Sequence, residues 1–153
     1  MDQKTIERIQ LMHPSLREEL TKQYNEINNI LPIGVRLRFS HTLRTVEEQN
    51  ALYNQGRTTS GKKVTNAKGG QSIHNYGLAF DICILLDTDK NGSFESVVWE
   101  GKYFNEVVAY FKSKGWEWGG DWIKFKDKPH FQVKGSNWRD LANKLKKDGY
   151  PIL

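Results

Sequence analysis

Cysteine is all but missing from this sequence. Cys83 stands alone, so the chain cannot form an internal disulfide. It lies within an apolar run and reads as a buried, reduced thiol rather than a reactive one. Long hydrophobic stretches are missing too: no run of 18 apolar residues occurs, which excludes a membrane-spanning helix. The opening Met-Asp-Gln-Lys-Thr-Ile-Glu has none of the apolar core of a secretory signal. The protein is therefore expected to be made in the cytoplasm and to reach an outside target only after release. Repeats and low-complexity tracts are absent, and 153 residues suit one domain over 1–153, expected to be a monomer. Acidic residues are outnumbered, 18 against 23 basic, and the net charge of +5 favours polyanionic surroundings such as nucleic acid or an anionic cell wall. An aromatic strip, Trp116-Glu-Trp118-Gly-Gly-Asp121-Trp122, could stack on bases or sugars. The basic residues, however, are scattered and form no basic helix face, so nucleic acid is not the expected partner.

What is present falls into recognisable elements. Residues 4–12 and 14–30 carry apolar side chains at helical spacing, with Pro14 suited to the first turn of the second helix. His13 beside it reads as a helix-boundary residue. Pro32 and Gly34 end the helical region, and 35–40 alternates apolar and polar as a half-buried strand does. Thr45-Val-Glu-Glu48 supplies a capping box for a helix to about residue 55. Residues 56–71 read as a mobile, glycine-rich surface loop. An apolar run at 82–86 is a buried strand. Helices are expected over 102–114 and 137–147, with a short strand at 131–133 between them. The fold class is α+β: a small, mostly antiparallel sheet packed by helices.

The stretch with chemistry in it is Ser72-Ile-His74-Asn-Tyr76-Gly77-Leu-Ala79-Phe-Asp81. It sets an imidazole on the loop feeding the strand and a carboxylate at the strand's start. A carboxylate entering an apolar strand is costly unless paired or bound to metal. Asp127-Lys-Pro129-His130 offers a third ligand of the types zinc accepts. Spacing alone leaves a bland alternative open, in which His74 and His130 are satisfied polar residues near loops. Three protein ligands would leave a position for water, whose pKa zinc lowers from about 15.7 towards 7. Asp127 would then be the carboxylate that accepts the proton, with Asp121 as its competitor. Arg44, at a strand-to-helix junction, reads locally as a surface ion pair with Glu47 or Glu48. Asp87, Asp89, Asn91 and Glu95 open like a calcium loop with Gly92 in sixth place, although Val98 occupies the position of the closing Glu. The competing reading is a hairpin with Asn91-Gly92 as its tight turn, to which calcium would be an addition.

The combination resembles a known family. Ser-x-His-x-x-Gly-x-Ala-x-Asp at 72–81, Arg44 in Leu-Arg-Thr-Val-Glu-Glu-Gln-Asn-Ala-Leu-Tyr, Trp118-Gly-Gly-Asp-Trp122 and Asp127-x-Pro-His130-Phe131 occur in this order. Together they are similar to zinc peptidases of the D-alanyl-D-alanine carboxypeptidase type, and more closely to their L-alanyl-D-glutamate endopeptidase branch, phage endolysins included. The resemblance covers about 33–134. It implies zinc on His74, Asp81 and His130, Asp127 as general base, and Arg44 binding substrate and polarising the scissile carbonyl. Peptidoglycan stem peptides would be the substrate, with Ser72, Tyr76 and Trp118 as candidates for the substrate groove. Carboxypeptidase relatives tend to carry Glu-x-x-His preceded by Trp, whereas this chain has Asp127 and Pro129, which favours the endopeptidase branch. A C-terminal wall-binding module, frequent in such endolysins, is not expected before Leu153, and the basic surface is expected to substitute for it.

Overall fold

The segment with no polar face becomes the middle of the sheet. In the computed structural model, which describes residues 2–148, strand β2 (Ala79–Leu86) is buried throughout except at Asp81 and Leu86, which are half-buried. A strand enclosed on both faces also needs partners on both edges. Strand β1 (Val35–His41) supplies one edge. On the other edge, β5 (His130–Gln132) takes the first half of β2, and β3 (Ser96–Val98) takes the second half. Strand β4 (Glu117–Trp118) pairs outside β5, and every pairing is antiparallel. Helices α1 (Gln3–Ile9), α2 (Arg17–Ile30), α3 (Val46–Asn54), α4 (Lys102–Ser113) and α5 (Trp138–Asp148) complete the expected α+β arrangement.

Alternation along β2 separates the core from the chemistry, since neighbouring side chains point to opposite faces. Phe80, Ile82 and Ile84 enter the main core with Leu37, Phe39 and Phe131, under Phe104, Val107 and Phe111 of α4. The ring of Phe80 stacks on Phe39 at 4.5 Å and on Phe131 at 5.4 Å, with Phe111 edge-on at 5.1 Å. Emptying such a fully buried aromatic position costs about 3–5 kcal/mol. Ala79 and Asp81 lie on the opposite face, where their cross-strand partners are Gln132 and His130. A smaller cluster of Ile73, Tyr76, Ala79 and Leu141 closes that side.

Several boundaries differ from the sequence reading. β2 begins at Ala79 rather than 82, because pairing with β5 extends it, so Asp81 sits inside the strand rather than at its start. β5 likewise includes His130. A hairpin does join β2 to β3, but its loop runs over 87–95 and is not a two-residue Asn91-Gly92 turn. Residues 56–71 form no helix or strand, yet they are stitched down. Gln49 Nε2 donates to the Ala67 carbonyl at 2.8 Å, Gly69 N donates to Asn50 Oδ1 at 2.8 Å, and Arg57 Nη1 donates to the Thr65 carbonyl at 3.1 Å. Gly69 must be glycine there, because an added Cβ would come within 2.6 Å of Val46 Cγ1. The thiol of Cys83 is buried and its pKa is pushed up to about 11 by that burial, so it is the inert group expected. The closing residues of the 1–153 span, 149–153, lie outside the described residues.

Candidate metal centre

Three elements each deliver one ligand to a single point. His74 rides on a short 3-10 turn (Ile73–Tyr76), capped by Ser72 and ended by Gly77 in the left-handed conformation at φ 68°. Asp81 comes from β2, and His130 stands opposite it in the β2–β5 register. His74 Nε2 lies 3.1 Å from Asp81 Oδ1, His130 Nδ1 lies 3.2 Å from the same oxygen, and the two nitrogens are 3.2 Å apart.

The outer hydrogen bonds fix what those nitrogens carry. His74 Nδ1 faces the Thr42 carbonyl at 2.7 Å, and only an N–H can bond a carbonyl, so Nε2 is left as a bare lone pair. His130 Nε2 donates to Gln132 Oε1 at 2.8 Å, leaving Nδ1 bare in turn. The Gln132 amide is oriented by Glu117, whose Oε2 accepts from Gln132 Nε2 at 3.3 Å and from Trp122 Nε1 at 3.0 Å. With both rings neutral, two lone pairs and a carboxylate oxygen thus meet at one point, which is repulsive unless a cation, a metal ion or a proton, sits there. Tetrahedral ligands at 2.0–2.2 Å from zinc lie roughly 3.3–3.6 Å from one another, close to the spacing found here. Residue types, proton positions and spacing all fit zinc. Without a metal, an imidazole proton is the cation available to Asp81. Burial alone would raise the Asp81 pKa, but the His130 and His74 imidazoles more than offset it and hold that carboxyl well below the usual range. Burial lowers His130, and the Asp81 carboxylate more than offsets that, so the pKa of His130 is raised.

Other predicted residues divide clearly. Asp127 borders the centre, with Oδ2 3.9 Å from His130 Nδ1 and its side chain half-exposed. Its pKa is raised, first by partial burial and then by the negative charge of Asp81. Asp121 points elsewhere and pairs with Lys112 Nζ at 2.8 Å. Arg44 forms no ion pair with Glu47 or Glu48; its Nη1 donates to Gln49 Oε1 at 3.1 Å. Arg44, Ser72, Asp127 and the three ligands all line one open cleft of about 1030 Å³, along with Trp138 and Arg139 of α5. Tyr76 and Trp118 are not in that cleft. Tyr76 is fully buried, its hydroxyl donating to the Gly70 carbonyl at 2.6 Å, because it anchors the approach to His74. Trp118 packs against the main core and donates Nε1–H to the Lys128 carbonyl at 2.7 Å.

Sequence reasoning passed over three residues. Gln132 and Glu117 orient His130 from behind. His41 lines the cleft, with Nδ1 3.8 Å from Asp81 Oδ2. The alternation Val35, Leu37, Phe39 would send residue 41 to the core face. A bulge between Phe39 and His41 turns it to the cleft instead.

The acidic loop behaves differently. Asp87, Asp89 and Glu95 bring carboxylate oxygens within 4.8 Å of one another. The loop also uses these groups itself: Asp87 accepts from the backbone N–H of Asn91 at 3.1 Å and of Gly92 at 2.8 Å, while Asn91 Nδ2 donates to Asp89 at 3.2 Å and Glu95 at 3.0 Å.

Comparison with known proteins places this centre. Residues 65–133 match the family described as D-alanyl-D-alanine carboxypeptidase. The peptidoglycan L-alanyl-D-glutamate endopeptidase CwlK of Bacillus subtilis is 41% identical over 109 residues, 65% of this chain and 62% of that protein. The L-alanyl-D-glutamate peptidase of Listeria phage A118 is 35% identical over 100 residues, 65% of this chain and 31% of that protein. The chain thus spans less than two thirds of the length of these curated relatives. The crystal structure of Serratia marcescens L-Ala D-Glu endopeptidase ChiX superposes with a TM-score of 0.60 at 22% identity, covering 93% of this chain and 92% of that one, and shows the same fold. Residues 65–133 are thus similar to the D-alanyl-D-alanine carboxypeptidase family, and the chain as a whole shares the fold of the Serratia enzyme.

Proposed function

We propose that this protein hydrolyses peptide bonds in peptidoglycan stem peptides, cutting between L-alanine and D-glutamate. The observation that carries the reading is the meeting of two inward-facing imidazole nitrogens and Asp81 Oδ1 at one point of an open cleft. His74, Asp81 and His130 would hold the zinc. Zinc, when bound, would supply Lewis-acid polarisation of the scissile carbonyl and acidify the attacking water.

The remaining work falls to side chains of this chain. Asp127 takes the proton of the attacking water and returns it to the leaving amine. Its raised pKa suits that exchange, because a base works best with a pKa near the operating pH. Arg44 faces the carbonyl oxygen as it gains charge, held in position by Gln49, which the Ala67 carbonyl fixes in turn. His41, Ser72, Trp138 and Arg139 line the walls along which the stem peptide extends. The bond assignment is supported by the names of the Bacillus and phage relatives. Among the described residues no helix is long and apolar enough to cross a membrane. The protein would act on the wall after release, as a monomer.

Digestion of purified peptidoglycan, followed by mass analysis, tests the proposal. The expected products are stem peptides with a new N-terminal D-glutamate. Free alanine alone would instead identify a carboxypeptidase removing the terminal D-alanine, and an unchanged wall would indicate a non-catalytic binding module.

A further inference from the structure

We propose that residues 122–128 form a docking finger that grips the wall polymer beside the cleft; this rests on peptidoglycan being the substrate. The segment leaves the 3-10 turn at Gly119–Asp121 and returns at His130. Its base is stapled. Asp127 N–H donates to the Gly119 carbonyl at 3.0 Å, Trp118 Nε1–H donates to the Lys128 carbonyl at 2.7 Å, and a Cβ on Gly119 would collide with the Asp127 carbonyl. Yet the tip is apolar and points at water: Ile123 is 96% exposed and Phe125 81%. Phe125 also has φ 55°, a left-handed conformation that aromatic residues rarely adopt. A firmly tied base holding a strained, solvent-facing aromatic contributes nothing to the core, and such exposed apolar pairs mark binding surfaces.

Two observations identify the partner. First, Lys124, Lys126 and Lys128 interleave with the apolar tip, are all exposed, and form no ion pair among the described residues. Three unspent cations call for an anionic polymer, and stem-peptide carboxylates provide one. Second, the finger is continuous with the cleft, because its two roots, Trp122 and Asp127, line the cleft wall. Whatever strand of wall enters the cleft must therefore pass the finger. There the Phe125 ring can lie on the apolar face of a sugar while the lysines meet carboxylates. A bilayer would need a wider apolar face than two side chains on a loop.

The test uses the full-length, zinc-loaded protein, with Ile123→Ser/Phe125→Ser as the principal variant. Phe125→Gly is a second variant, relieving the backbone conformation while removing the ring. Brief co-sedimentation with insoluble peptidoglycan on ice reads binding, and kcat/KM on a short soluble stem peptide reads the chemistry. We expect wall binding to weaken about tenfold in both variants, the scale of losing one anchoring aromatic contact. Hydrolysis of the soluble peptide should stay within twofold of the parent, roughly the scatter of a surface change. Lys124→Gln/Lys126→Gln/Lys128→Gln should weaken wall binding and flatten its salt dependence. Unchanged sedimentation of the Ile123/Phe125 variant would overturn the proposal. So would an equal loss on the soluble peptide, which would make the finger only a support for Asp127. Loss of binding to anionic lipid vesicles with wall binding intact would reassign the finger to a membrane. If variants lose wall binding but the parent cuts no bond in the wall, the finger stands and the hydrolytic reading fails.

Discussion

Two groups of ligand-type side chains lie six residues apart, one around Asp81 inside β2 and the other around Asp87 just past its end, and they differ in what their donor atoms already do. At Asp81 the donors come from a 3-10 turn, β2 and β5, and the hydrogen bonds of the two imidazoles run outward to Thr42 and Gln132. Their inner lone pairs are left over. At Asp87 the donors come from a single hairpin loop, and the amides of that loop already share them. Proximity of carboxylates is therefore a poor guide to metal binding. Donors left unsatisfied after the local network closes are a better one.

The contrast can be broken most violently at the proposed zinc ligands. His74→Ala should lower zinc affinity about 10²–10⁴-fold, one ligand's share of a binding free energy of about 10–16 kcal/mol, as read by competition with a chelating dye. Asp127→Asn should lower hydrolysis by about 10²–10⁴ while zinc content stays at one equivalent, since the amide keeps the size of the side chain but cannot accept a proton. Asp121→Asn, whose carboxylate pairs with Lys112, should retain activity. If Asp127→Asn loses its metal, Asp127 is a ligand and the three-ligand site is wrong. A smaller effect is expected one bond further out. Gln132→Leu removes the acceptor that holds the tautomer of His130 and should weaken zinc about 10–100-fold, while the metal-free protein melts close to the parent. Near-native zinc affinity in that variant would show that the outward bonds do not matter. The mildest change is at the other cluster. Asp87→Ala removes the acceptor of Gly92 N–H and one of the two acceptors of Asn91 N–H, both on exposed residues, and should cost about 0.5–1.5 kcal/mol of stability, seen as a lower Tm, with zinc affinity unchanged.

How far the sequence revealed this site depended on whether a residue acts through its neighbours in sequence or across strands. The Thr45–Glu48 capping box is present as expected, because both partners lie within one turn. The convergence of His74, Asp81 and His130 was legible because His74 and Asp81 share one short motif and His130 follows a turn. Gln132 and Glu117 were invisible: they meet His130 only through the β4–β5 register and a side-chain relay. His41 was hidden by a bulge that shifts the alternation by one residue. Tyr76 and Trp118 were misplaced for the opposite reason. Aromatics beside a motif look like groove walls in sequence, yet one is core and the other ties the loop that carries Asp127.

The difference between the two clusters is tested most directly by titrating chelator-stripped protein with zinc and, separately, with calcium, following heat and Tm. The account predicts one tight zinc equivalent that vanishes in His74→Ala but survives in Asp87→Ala. Calcium should stabilise by no more than about 0.4 kcal/mol at 1 mM, the effect of a ligand at a concentration equal to a millimolar Kd. Zinc uptake unaffected by His74→Ala, or a large calcium stabilisation abolished by Asp87→Ala, would contradict it.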